Sequence, residues 1–390
     1  MPRLLLLSVL FGVFGAPVRA QQPEQVLQRL FTEERMQAEW FEPALLAQVP
    51  IAQIEAIVRE LRRQYGSWVA VRGRGLEYEV ELERAWVPTR MVLGAQGRIS
   101  GLLFQPPYPK ATTLEGWLEA FRALPGRVAL LVRRDDQDLL VLRAEEPLAV
   151  GSAFKVAVLA ALAREVASGR RRWEELVPIA SAHKSLPSGI LQDWPEGAPL
   201  TLYSLAALMI AQSDNTATDH LLALLGRQPV ERLANRNRPF LNTREAFALK
   251  NPANRSWLER FRRSDETGKR AILRELAQRP LPDETLFSSG PVALDVEWFF
   301  SARELAALLD EVAELPMMGI NPGPARRADW AAVAFKGGSE PGVLNLSARL
   351  LRADGRRFTV IATWNDERPL DEVRFLGLYS GLLRFLTALP

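Results

Sequence analysis

The sequence predicts two folded units in series: a small α+β unit with helices on an antiparallel sheet, then a larger α/β unit whose sheet is drawn from both of its chain ends around an inserted helical block. Three observations carry this reading. Ile51, Ile54, Ile57, Val58 and Leu61 recur at the spacing of one helix face. Leu76, Tyr78, Val80 and Leu82 alternate with Glu77, Glu79, Glu81 and Glu83, the period of a strand with one wet face. Later strand signals fall at 128–142 and then only at 333–364, so the segment between them reads as the inserted helical block.

Taken in order, Arg3 precedes an apolar run over 4–14, and Val18-Arg19-Ala20 offers small residues to a signal peptidase. Residues 1–20 therefore read as a signal peptide cleaved near Ala20, with a secreted or periplasmic product. The run is shorter than the roughly 18–20 residues of a spanning helix, so no stable membrane anchor is expected. Residues 21–110 form the first unit, with a hairpin at Gly94-Ala95-Gln96-Gly97, and the proline-rich stretch 105–109 reads as a stiff linker. Residues 111–390 form the second: a helix at 114–124, paired strands at 128–132 and 139–142, strands at 333–335, 343–351 and 358–364, and a terminal helix over 370–389.

Composition removes several classes of function. The chain of 390 residues is 48% hydrophobic and 24% charged, ordinary for a folded soluble protein. It has no cysteine, hence no disulfide, lipidated cysteine or thiolate metal ligand. Its two histidines, His183 and His220, share no metal-ligand spacing, and no G-x-S-x-G stretch supports a Ser-His-Asp triad, so neither metal nor cofactor is expected. The clusters Arg170-Arg171-Arg172-Trp173 and Arg260-Phe261-Arg262-Arg263 have glutamates close by, as on solvated helix faces, and do not argue for nucleic acid. Of 49 basic residues only six are lysine. Arginine does not give up its proton whereas lysine can, so a lysine retained in such a chain marks a place where a neutral amine is useful.

Two of those lysines sit in S-x-x-K stretches. Ser152-Ala153-Phe154-Lys155 opens the apolar run 156–163, which reads as a buried helix, whereas Ser181-Ala182-His183-Lys184 lies between Pro178 and Pro187 with no apolar run after it. Residues three apart share a helix face, so Lys155 falls beside Ser152, and burial disfavours its charged form. Alone, the pattern is also explained by helix capping, as is Ser213-Asp214-Asn215. Lys336-Gly337-Gly338-Ser339, alone, is explained by a turn at a strand end.

Together and in this order, S-x-x-K, S-D-N and K-G-G resemble the S-x-x-K, S-D-N and K-T-G set of the penicillin-recognising serine enzymes, the class A β-lactamases and penicillin-binding proteins. The resemblance spans roughly 111–390 and implies a β-lactamase-like fold. It also implies roles by position: Ser152 is the acylated nucleophile, Lys155 its base, and Ser213 a proton relay, with Lys336 supplying positive charge near the substrate. Asn215 would bind the substrate amide, Gly337, Gly338 and Ser339 would line the strand edge, and the N–H groups of Ser152 and Ser339 would form an oxyanion hole. Gly337 departs from the family by lacking the hydroxyl of its Thr or Ser. No E-x-x-L-N occurs, which leaves the deacylating water without its usual base. Glu245 is the candidate nearest in position, although Thr243-Arg244-Glu245 reads as a helix start. The first unit resembles, more loosely, the steroid-isomerase-like cone folds.

The expectation is thus an exported serine hydrolase working by acyl transfer on a β-lactam, a peptidoglycan-like peptide or a small ester, with slow deacylation. A D-Ala-D-Ala peptidase is the alternative within that chemistry. A non-hydrolytic binding module is the alternative outside it, and has no need of an activated nucleophile.

Overall fold

The computed structural model describes residues 22–390 except 187, 278, 282, 284 and 286–289. The expected signal sequence lies outside the described residues. The chain divides into two compact units, one running to Thr112 and including Glu372–Leu382, the other comprising Thr113–Asp371 and Leu383–Pro390.

In the first unit, helices Pro23–Thr32, Pro43–Gln48 and Ile51–Tyr65 accompany an antiparallel sheet in the order Trp68–Arg74, Glu77–Leu82, Ala85–Leu93, Ile99–Phe104. The two predicted periodicities explain its core. Ile54, Val58 and Leu61 are buried from the helix, while Tyr78, Val80 and Leu82 are buried from the strand. Ile57, one position off that helical stripe, is 41% exposed. The stretch 105–109 does not remain a linker throughout: Tyr108 and Pro109 pair with Trp86 and Ala85 at the sheet margin, where proline is tolerated because no outward N–H is needed.

The second unit holds a five-stranded antiparallel sheet in the order Ala332–Glu340, Val343–Leu351, Arg357–Asn365, Arg127–Arg134, Gln137–Leu142. Its two chain ends meet where Phe358 through Asn365 pair with Arg134 through Arg127. Between them lies the helical block, including Lys155–Ala167, Leu202–Ala211, Asn215–Leu225 and Thr243–Lys250. Lys155–Ala167 is buried from Lys155 through Leu162, as its nearly all-apolar circumference requires. Fully burying side chains such as Val156, Leu159 and Leu162 is worth about 1.5–3 kcal/mol each, which anchors the helix firmly enough to bury one amine with it.

One pairing escaped the sequence. Leu148–Ala149, just upstream of Ser152, pairs with Phe299–Phe300, and the Phe154 ring stacks on Trp298 with centroids 3.9 Å apart. These contacts fix the approach to the helix and therefore the position of Ser152.

Candidate active site

Ser152 lies in a single 3-10 turn, Gly151–Phe154, that runs directly into the helix beginning at Lys155. Gly151 has φ +48°, and a Cβ there would stand 3.1 Å from the Ser339 backbone nitrogen. Gly338 answers from the facing strand: its Cβ would meet Val150 O at 2.2 Å, Ser152 N at 2.5 Å and Ala153 N at 2.6 Å. The two glycines let the strand edge and the serine turn approach backbone to backbone. Ser152 N stands at the open start of the helical turn, where N–H groups have no partner within the helix.

The sequence reading put Lys336-Gly337-Gly338-Ser339 at the end of a strand. The structure places all four inside Ala332–Glu340, in register with Ser347, Leu346, Asn345 and Leu344. A turn would explain the motif alone; close approach to the serine turn is why glycine is tolerated in the middle of the strand.

Lys155 is fully buried, and its Nζ donates to Ser213 O at 2.5 Å and to Asn215 Oδ1 at 2.6 Å, with Ser213 Oγ 3.2 Å away. Burial, with Lys336 repelling from nearby, pushes the Lys155 pKa well below the ordinary lysine range. A neutral amine has two N–H bonds and one lone pair. The carbonyl of Ser213 and the amide oxygen of Asn215 take the former, which leaves the lone pair to accept a proton from a hydroxyl. Among the described residues none hydrogen-bonds to the half-buried Ser152 hydroxyl. The amine thus turns toward Ser213 and Asn215 in the unliganded protein.

Ser213 is held in the left-handed region, φ +57°, a costly conformation for a serine that the surroundings enforce. Ser188 Oγ donates to Ser213 O at 2.6 Å. Asp214 caps the next helix through Ala217 N at 2.8 Å, and its other oxygen accepts from Ile190 N at 2.7 Å and Leu191 N at 3.0 Å. Lys336 Nζ donates to Ser213 Oγ at 3.0 Å and to Gly337 O at 2.6 Å, and burial lowers its pKa to about 7. The hydroxyl of Ser213 therefore stands between two lysines that are both pressed toward neutrality.

Three expectations are adjusted. Asn215 Nδ2 donates to Leu186 O at 2.9 Å while its oxygen serves Lys155, so this residue, 4% exposed, holds the base in place and keeps only one N–H for a substrate. Glu245 is already engaged: it completes a capping box at Asn242, and its carboxylate is paired with Arg227. The helix-start reading of that segment describes what it does. At position 337 a Cβ would stand 3.0 Å from the Phe335 ring and 3.2 Å from Asn345 O, so the hydroxyl-bearing residue of the family pattern has no ready room there. His220 is committed too, since its Nε2 accepts from Ala180 N at 2.8 Å and its Nδ1 bonds Thr216 O at 2.7 Å.

The sequence reading missed Ser188, Phe335 and a third buried lysine, Lys250, which is paired with Glu297 and Glu340. The scarcity of lysine was the one signal that could have singled out Lys250.

Residues 113–272 match the beta-lactamase enzyme family. Among solved structures, a β-lactamase from Sphaerobacter thermophilus is similar at 19% identity and TM-score 0.50, over 71% of this chain and 98% of that one. A β-lactamase from Chitinophaga pinensis is similar at 18% identity and TM-score 0.50, over 70% and 97%. No curated protein sequence matches the chain. The fold likeness and the family match define the second unit as a β-lactamase-like serine hydrolase.

Proposed function

We propose that the protein is an exported serine hydrolase in which Ser152 attacks an acyl donor, a β-lactam, peptidoglycan-like peptide or small ester, to give an acyl-enzyme that water clears slowly. Neutral Lys155 takes the proton as the Oγ–carbon bond forms. The N–H groups of Ser152 and Ser339, brought together by Gly151 and Gly338, receive the oxyanion. Ser213 passes the proton from Lys155 to the leaving group, and Lys336 polarises that hydroxyl.

The observation that carries this reading is the burial of Lys155 with its two N–H bonds already engaged, an arrangement that serves a base and has no use in a binding module. Slow deacylation is supported by the engagement of Glu245 with Arg227 and Asn242. Removing a positioned base costs ~10²–10⁴ in rate. With nitrocefin, stopped flow should show a burst near one equivalent and then slow turnover, and intact mass should show the matching adduct on Ser152. Fast steady hydrolysis with no trapped adduct would overturn the slow step. A simple thioester, whose small acyl group leaves room for water, should clear faster.

A further inference from the structure

The acylation groups do not account for Lys250, Glu297 and Glu340. Their side chains are 1%, 0% and 15% exposed, and Lys250 Nζ donates to both carboxylates. One oxygen, Glu297 Oε2, is buried with no hydrogen-bond partner. Orphaned buried carboxylate oxygens are costly, and protonation lowers that cost by removing the charge. A proton on Glu297 leaves one positive and one negative charge in the cluster. Burial and the adjacent Glu340 raise the Glu297 pKa to about 8, in keeping with a proton held there at neutral pH. Lys250 is pushed up by the same two carboxylates and stays charged.

The cluster is placed by the same elements that build the serine site. In the strand Ala332–Glu340 side chains alternate, so Lys336, Gly338 and Glu340 share a face. Lys336 reaches Ser213, Gly338 lies against Ser152 N, and Glu340 follows two residues on, about 6.5 Å further along the strand. Glu297 precedes Trp298, whose carbonyl accepts from Val150 N at 3.0 Å, two residues before Ser152. Lys250 ends the helix Thr243–Lys250, whose first N–H groups, from Thr243 and Arg244, are held by Asp219 on the helix that carries Asn215. Of the three, only Glu340 has solvent access, as a group that works on water must.

We propose that Glu340, held in place by its ion pair with Lys250, is the general base for deacylation. This rests on the acyl-transfer reading and assigns its second half. As water's oxygen bonds to the acyl carbon, one of its protons goes to Glu340. That proton passes to Ser152 Oγ as the Oγ–carbon bond breaks, and the acid leaves with the remaining proton. A carboxylate that is already ion-paired is a weak base, which agrees with slow turnover.

The test uses the full mature chain, a fluorescent penicillin, and intact mass after the free donor is removed. Glu340→Gln should be acylated at the wild-type rate within about twofold, while its adduct lasts at least about a hundredfold longer, the scale of losing a general base. The wild-type decay should slow at acid pH, and the Gln variant should lack that limb. Glu340→Asp, for use where Gln disturbs folding, should slow the decay yet keep the limb. Equal lifetimes and an unmoved pH profile in a folded variant overturn the assignment and leave acyl transfer standing. Absence of any Ser152 adduct in the wild type, with this or any other donor, overturns the acyl-transfer reading and the role of Glu340 with it.

Discussion

The chain contains the same four-residue pattern twice, and the two copies have different environments. At Ser152 the turn leads into a helix buried from Lys155 through Leu162, and Lys155 goes with it to full burial, its amine engaged by groups that do not neutralise it by charge. At Ser181 the turn Ser181–His183 ends at once. Ser181 Oγ donates to the exposed Glu196 at 2.9 Å, and the half-buried Lys184 donates to Trp194 O at 2.6 Å. Spacing brings a hydroxyl and an amine into one neighbourhood in both places. Only desolvation turns the amine into a base, and desolvation comes from the apolar run after the motif rather than from the motif.

The largest expected effect breaks the symmetry outright. Ser152→Ala should abolish covalent labelling by a fluorescent penicillin or a fluorophosphonate with the fold intact by circular dichroism, and Ser181→Ala should leave labelling unchanged. Label that followed Ser181 would mean that burial is not what distinguishes the copies. The next effect separates charge from basicity. Lys155→Arg retains a cation but not one that can accept a proton, and the acylation rate should fall at least about a hundredfold. Lys184→Arg should stay within about twofold. Near-normal acylation by the Lys155→Arg variant would show that another group takes the serine proton.

The fold class was legible because its signals are local. The helix face around Ile54 and the alternation around Tyr78 each lie within one element, and the strands at both ends of the second unit announce themselves by apolar runs. The helix start at Asn242 to Glu245 was legible for the same reason, since both partners of a capping box lie three residues apart. What stayed hidden depends on distance along the chain. Lys250 meets partners 47 and 90 residues away, and no local period reports such a pairing. The two-residue ladder of Leu148–Ala149 with Phe299–Phe300 is too short to leave a period at all. At Gly338 the local signal pointed the wrong way, because what reads as a turn at a strand end is an approach to Val150 and Ser152 that only glycine permits.

A middle-sized effect sharpens the contrast through pH. Lys336 is lowered by burial to about 7, so across neutrality it passes from charged to neutral as pH rises. A donor bearing a carboxylate is drawn to the charged form, and its kcat/KM should decline on the alkaline side of pH 7, since that parameter reports the free enzyme. A neutral ester should show no such limb. The two donors compared between about pH 6 and 9 on one enzyme provide the check, and identical profiles would remove Lys336 from substrate capture.

The smallest effect concerns the second copy and asks whether it has any role in the chemistry. Lys184→Met keeps the length and apolar stem of the side chain and removes one hydrogen bond, that to Trp194 O. A typical intramolecular hydrogen bond contributes about 0.5–1.5 kcal/mol net. Because Lys184 is only half-buried, water can replace the lost donor, and the cost should fall near the lower figure. For a unit of this size each kcal/mol moves Tm by about 2–4 °C, so a drop of a degree or two is expected with acylation untouched. The segment nevertheless lies close to the working groups: Ala180 N donates to His220, and Ser185 N donates to Thr216, both on the helix that begins with Asn215. If Lys184→Met lowered acylation tenfold while Tm moved only slightly, that helix would be transmitting the change to Asn215 and so to the amine of Lys155. The two copies of the pattern would then be coupled parts of one site.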